Sequence, residues 1–161
     1  LTNAGDLISH EVANHHQQVA YLAFRISEQL DLPPEQKKNI MLAGLLHDVG
    51  AFSLNERLAL IENEPQTSNN HAFRGARLIE GFSPLSGAAE IIRYHHVPWN
   101  NGEGKTFNGS KVTYLSHIVH LADRIAVSID KDKNVIDQVD SIRKKILKQK
   151  NAAFMPELVD G

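Results

Sequence analysis

The chain of 161 residues has the length of one ordinary domain, and 42% hydrophobic against 22% charged residues excludes a disordered or collagen-like polymer. Seventeen Lys and Arg against nineteen Asp and Glu leave a net charge of -2, so no uniform field draws the surface toward polymeric nucleic acid or an anionic membrane. The absence of Cys excludes disulfides, thiolate metal sites and a cysteine nucleophile; with no signal-peptide pattern and no apolar run near the roughly 18 to 20 residues of a membrane span, a cytoplasmic location is expected.

From Glu11 to Leu30, Val12, Val19, Leu22, Ala23, Ile26 and Leu30 recur at mostly three- and four-residue steps, which predicts an amphipathic helix. Leu32-Pro33-Pro34 breaks it and opens a second helix through Ile40, Ala43, Gly44 and His47, which Gly50 is expected to stop in a left-handed cap. Ser53-Leu54-Asn55-Glu56 has capping-box spacing and predicts a short third helix ending before Pro65. After a polar loop, a fourth helix is expected near His71 with Asn70 as its cap, and a fifth from Ser83-Pro84 toward His95. Val97 to Ser110, with Pro98, three Asn and three Gly, reads as a long loop rather than a strand. A sixth helix is expected over Lys111 to Ile129, then a charged turn, Asp130 to Asn134, and a seventh helix carrying Val135, Val139, Ile142 and Ile146. Phe154, Met155 and Leu158 suggest that the tail packs on the body. With no period-two segment and no repeat, the chain reads as all-α: one domain over residues 1–161, a compact bundle of about seven helices around a polar centre. Because it begins at Leu1 rather than Met, it is read as a segment of a larger protein with a sensor or receiver domain elsewhere.

Nine His are the compositional oddity, and their placement is more telling than their number. Glu11, His15, Val19, Leu22 and Ile26 lie on one helix face, so a carboxylate and an imidazole continue an apolar stripe. His47 and Asp48 close the apolar second helix. His71 lies one turn before Gly75, on the expected face of Leu78; His95 and His96 follow Leu85, Ala88 and Ile92 in register; Asp123 shares a face with Val112, Val119 and Ala126. Taken singly, each of these apart from the His47-Asp48 pair is explained as a hydrogen-bonded core residue or a cap. Taken together, eight such side chains in one core would each cost several kcal/mol of desolvation. A divalent metal cluster compensates all of them. Imidazole and carboxylate suit iron or manganese first, with cobalt, nickel or zinc as alternatives, and eight ligands imply two ions or three.

The order His15, His47-Asp48, His71, His95-His96, Asp123 resembles the ligand series of the HD superfamily of metal-dependent phosphohydrolases. The words Leu45-Leu46-His47-Asp48-Val49-Gly50, His71 with Gly75-Ala76, Tyr94-His95-His96 and Leu121-Ala122-Asp123 resemble one branch, the HD-GYP domains that hydrolyse cyclic di-GMP, across roughly Glu11 to Ile129. The resemblance implies that Glu11 matches a position that supplies a ligand to an extra metal in some trinuclear members. It also shows departures. Ala51 stands where the branch has a phosphate-holding Lys, and Val97-Pro98-Trp99-Asn100-Asn101-Gly102-Glu103-Gly104-Lys105 replaces the Gly-Tyr-Pro segment. A basic segment that follows the sixth helix in the family is represented at best by Lys131 and Lys133.

What the resemblance implies is a metal-dependent phosphohydrolase acting on a phosphodiester or nucleotide, with cyclic di-GMP among the candidate substrates. Two ions about 3.5 to 4 Å apart would ionise a shared water near neutral pH. Asp48 would bridge them and orient the nucleophile, with His15, His47 and Asp123 completing one ion, His71, His95 and His96 the other, and Glu11 a third or flanking position. Trp99 reads equally as a stacking platform for a purine or as a plug beneath the loop, and Lys105, Lys111 and Arg124 as phosphate contacts or solvated charges. His10, His16, His117 and His120 match no ligand position. The competing expectation is a degenerate signalling domain that binds metal or nucleotide without turnover; a third keeps turnover with a different phosphodiester or smaller nucleotide as substrate.

Overall fold

The computed structural model describes residues 14–62 and 69–160. Its helices are α1 (His15–Gln29), α2 (Pro34–Leu46), α3 (Leu54–Glu62), α4 (Asn69–Ile79), α5 (Ser86–Arg93), α6 (Tyr114–Val127), α7 (Val135–Lys148) and α8 (Pro156–Asp160), with a single 3₁₀ turn, Ser83–Leu85, leading into α5. No helix among the described residues is long and apolar enough to cross a membrane. The all-α expectation holds, and the departures from it have local causes.

Helices α1, α2 and α6 pack together at the centre, with α5 packed on α2 and α4 laid against α5. Their shared core holds Val19, Ala23, Ile40, Ala43, Ile92, Ile118 and Val119. Gly44 makes the closest approach possible: a Cβ there would stand 2.6 Å from the Cα of Ala20, so any larger residue would push α1 off α2. Pro34 occupies the first turn of α2, where its missing N–H is no loss. The box at α3 forms much as read: Ser53 Oγ accepts from the Glu56 N–H at 3.1 Å, and Glu56 reaches back to the Phe52 N–H at 3.1 Å.

Gly50 does not adopt the left-handed cap that the sequence suggested. The reason for glycine there is tertiary: a Cβ would lie 2.1 Å from the carbonyl oxygen of His71 and 2.4 Å from the nitrogen of Gly75. The segment after Asp48 therefore presses backbone to backbone on α4. That helix starts at Asn69, two residues before the expected His71. Leu78 is exposed, and the buried face of α4 is His71, Ala72, Gly75 and Ala76 instead.

The stretch expected to be loop throughout contains a 3₁₀-like turn, Asn100–Lys105, and a two-residue hairpin, Thr106–Phe107 (β1) with Ser110–Lys111 (β2). Asn108 and Gly109 connect the strands with φ of 49° and 79°, the paired positive values of a type I′ turn. The tail closes over the end of the bundle: Trp99, Asn100 and Asn101 donate backbone bonds to the carbonyls of Ala153, Ala152 and Asn151, and Phe154 is buried.

Candidate metal centre

Five segments deliver polar side chains to one point inside this bundle. His15 begins α1, His47 and Asp48 follow the last turn of α2, His71 lies in α4, His95 and His96 follow α5, and Asp123 lies in α6. All seven are buried. Glu11 lies outside the described residues.

Two groups of ligand atoms emerge, His15, His47 and Asp48, and Asp48, His71, His95 and His96, each with its atoms within 4.8 Å of one another. Asp48 belongs to both. Its Oδ1 lies 3.1 Å from Nε2 of His71 and its Oδ2 3.3 Å from Nε2 of His47. Asp123 joins the first group, with Oδ1 3.1 Å from Nε2 of His15 and 3.7 Å from Nε2 of His47. In the second group Nε2 of His96 and of His71 are 3.2 Å apart.

The second layer of contacts fixes which atoms face the centre. Nδ1 of His47 donates to the carbonyl of Gly44 at 2.8 Å, and Nδ1 of His95 to that of Ile92 at 2.7 Å. Both rings are thereby turned so that Nε2 points inward, the arrangement metal-binding imidazoles use. Yet Nε2 of His47, Nε2 of His95 and Oδ1 of Asp123 are buried without an aligned hydrogen bond. Buried polar atoms left this way are expensive, and these, two beside the first group and one in the second, fit a centre able to hold divalent cations.

The charges agree. Burial raises the carboxyl pKa of Asp48, but His47 and His71 outweigh it and hold it well below the usual carboxylate range. Asp123 is likewise held low, burial being overcome by Arg124, His15 and His47. Burial also pulls His47 down, yet Asp48, Asp123 and the Gly44 carbonyl together raise it to about 9. For His95, burial and then the neighbouring His96, His47 and His71 lower the pKa well below the ordinary imidazole range, keeping a neutral ring with a free lone pair. Two ionised carboxylates among imidazoles form a cavity that selects positive charge, whether proton or metal.

Around this centre, Arg124 donates from Nε and Nη2 to Oδ2 of Asp123, at 3.0 and 2.6 Å, and from Nη2 to the Leu60 carbonyl at 3.2 Å, so its guanidinium orients a carboxylate rather than standing open. Trp99 is buried and packs edge-on against His117, with ring centroids 5.4 Å apart, which favours the plug over the open stacking platform. Lys105 is exposed, with Nζ 5.2 Å from the Trp99 ring centroid.

Sequence reading left out His16, His117 and His120 as candidates, and all three are buried. The ring of His16 lies 5.3 Å from that of His47. The signal was present, since His16, Ala20, Ala23 and Ser27 sit at helical spacing and make a second buried edge on α1.

Imidazoles and carboxylates drawn from five segments onto one buried point define the class: the chain belongs to the HD domain family, whose family model matches residues 12–128. Over 126 residues it is 27% identical to the 3'3'-cGAMP-specific phosphodiesterase 1 of Vibrio cholerae serotype O1, an alignment covering 78% of this chain and 29% of that protein. The chain thus spans less than a third of that relative's length. The matched residues include the five segments that bring the buried cluster together, a group of side chains able to hold a metal ion.

Proposed function

We propose that the chain is the hydrolytic domain of a larger cytoplasmic signalling protein, regulated by a sensor or receiver domain, and that it cleaves a phosphodiester bond of a cyclic dinucleotide. His15, His47, Asp48 and Asp123 would hold one divalent ion and Asp48, His71, His95 and His96 a second, iron or manganese in each case, with Glu11 available to a third. The observation that carries this reading is the carboxylate of Asp48, whose two oxygens face the two groups. Ions bound there supply water ionised near neutral pH and neutralise charge growing on the phosphoryl oxygens.

The chain itself supplies position. Asp48 is the catalytic carboxylate, lying where the reacting atoms must meet and held ionised by His47 and His71. Arg124 steadies Asp123, and the Gly44 and Ile92 carbonyls steady His47 and His95. Exposed Lys105, with Nζ over the buried Trp99 ring, would be the phosphate contact. Ala51 brings no positive side chain, but Arg57 donates from Nε to the Ala51 carbonyl at 3.1 Å, which places a guanidinium beside that segment. The name of the Vibrio cholerae relative supports a cyclic dinucleotide over other phosphodiesters; 3'3'-cGAMP and cyclic di-GMP are the two to compare.

Elemental analysis of protein purified without chelators or oxygen, followed by hydrolysis assays on both dinucleotides with iron and manganese, tests the proposal. Two or three ions per chain and turnover lost in Asp48→Ala are expected. One ion or none after reconstitution, with no turnover, would replace this reading by a signalling domain that binds without hydrolysing.

A further inference from the structure

The outer side of the bundle carries a surface that the metal chemistry does not use. On α7, Val135, Ile136, Val139 and Leu147 are 53%, 78%, 54% and 42% exposed. Beside them lies an apolar groove of about 410 Å³ between α7 and α6, closed by α1 and α8, with Leu22, Leu121, Ile125, Val139, Ile146 and Leu158 in its lining. Arg143 is the one charged side chain on its wall among the described residues. Such a lining offers little to orient a small polar ligand, and four exposed aliphatic side chains along one helix exceed the scattered apolar residues usual on a surface.

The charges of α7 say what kind of partner fits. Its first half carries Asp137 and Asp140, its second half Arg143, Lys144, Lys145 and Lys148. This distribution suits the helix dipole, but it is also self-complementary. Ile136, Asp140, Arg143 and Leu147 fall at i, i+4, i+7 and i+11, on one exposed stripe that reads apolar, acidic, basic, apolar. Turned end for end, the stripe meets its own complement.

We propose that the chain forms a two-fold symmetric homodimer through α7 packed antiparallel on the α7 of a second copy. With the axis between Ser141 and Ile142, Ile136 of each copy faces Leu147 of the other and Asp140 of each faces Arg143 of the other, giving two apolar contacts outside two ion pairs. Such isologous pairing is the commonest way soluble chains associate. Fourteen residues give a seam of about 21 Å. Val135 and Val139 lie at the groove's edge, where the second copy's helix covers them. The axis lies away from Asp48: Leu121 and Ile125 line the groove while Asp123, between them, faces the metal centre. Dimerisation therefore neither needs the metals nor depends on the function proposed above.

Light scattering and sedimentation on the full chain test this, with circular dichroism and low-concentration melting as checks of folding. The native chain should show twice its 17.9 kDa mass at concentrations up to about 200 µM, falling to the monomer on dilution. Asp140→Arg and Arg143→Asp, both at exposed positions, should each weaken the dimer at least tenfold by setting like charges face to face. Mixing the two single variants should restore a dimer, since each then supplies the charge the other needs, and the double reversal should restore self-association. A monomeric native chain, as expected if another segment or another protein fills the groove, would overturn the proposal. So would a dimer indifferent to either reversal, or two weakened variants that fail to rescue one another.

Discussion

Asp48 and the six imidazole and carboxylate side chains around it are at most 6% exposed, while four aliphatic side chains on α7 are 42% to 78% exposed. Both regions run against the ordinary sorting of polar and apolar groups, in opposite senses. In the centre the departure is held by backbone: Gly44 lets α1 reach α2, Gly50 lets the Asp48 segment reach α4, and the carbonyls of Gly44 and Ile92 aim two rings. On α7 nothing comparable is spent; the helix would form equally well with polar residues at those positions. The difference teaches how to tell two kinds of incompleteness apart. A buried cluster able to hold an ion is built by the whole fold, whereas an uncovered apolar surface is written on one helix.

Four experiments would break or sharpen that contrast. Asp48→Ala removes the one side chain common to both ligand groups, so metal content should fall and hydrolysis should drop about a thousandfold or more, on the order of 4 kcal/mol of barrier; normal ion content with undiminished turnover would refute the shared role. Stripping the metals should come next in size. Ions present at about a hundred times their dissociation constant contribute roughly 2.7 kcal/mol, so chelation should lower the melting temperature by about 5 to 10 °C. Variants confined to the α7 stripe should keep that response in full.

A third experiment probes buried imidazole outside the ligand set. Burial, and then the neighbouring His120, pull His117 down to about 4. Above pH 6.5 the ring is neutral in both folded and unfolded chains and stability is unaffected. As pH falls from 6.5 toward 4 the unfolded chain takes up a proton that the folded one refuses, so stability declines, by about 2 kcal/mol between pH 7 and pH 5. Urea unfolding at the two pH values should show a smaller loss in His117→Gln than in the native chain. The smallest effect is expected at Ile136→Gln: at low protein concentration its melting should stay within about 0.5 kcal/mol of native, because the side chain is mostly exposed within its own copy.

Much of the centre was legible in the sequence because helical periodicity reports direction. His15 four residues before Val19, and Asp123 between Val119 and Ala126, had to point inward if the apolar stripes did, and His47-Asp48 at the end of an apolar helix had to converge with them. What periodicity does not report is contact between distant segments. Gly50 looked like a helix stop because its role, admitting the His71 carbonyl, belongs to a neighbour far along the chain. Leu78 looked buried because α4 was extrapolated one turn beyond the face that packs. The hairpin at Asn108-Gly109 was readable, since that dipeptide is the commonest type I′ signal, but two-residue strands leave no alternation to notice. Val135 and Val139 were correctly read as one apolar stripe, and the pattern was silent on the fact that the chain covers only part of it.

One carboxylate shared between two ligand groups also means that the two halves of the centre would not fill independently. If both groups held ions, the orientation of Asp48 that suits the first would set where its other oxygen stands for the second. Occupancy of the His47 side and of the His71 side should therefore be linked, and by reciprocity each must alter the other's affinity by the same factor. A metal titration of this chain should yield a curve that two independent sites cannot fit, and Asp48→Asn, which keeps the shape but removes the charge, should change the shape of that curve as well as its midpoint.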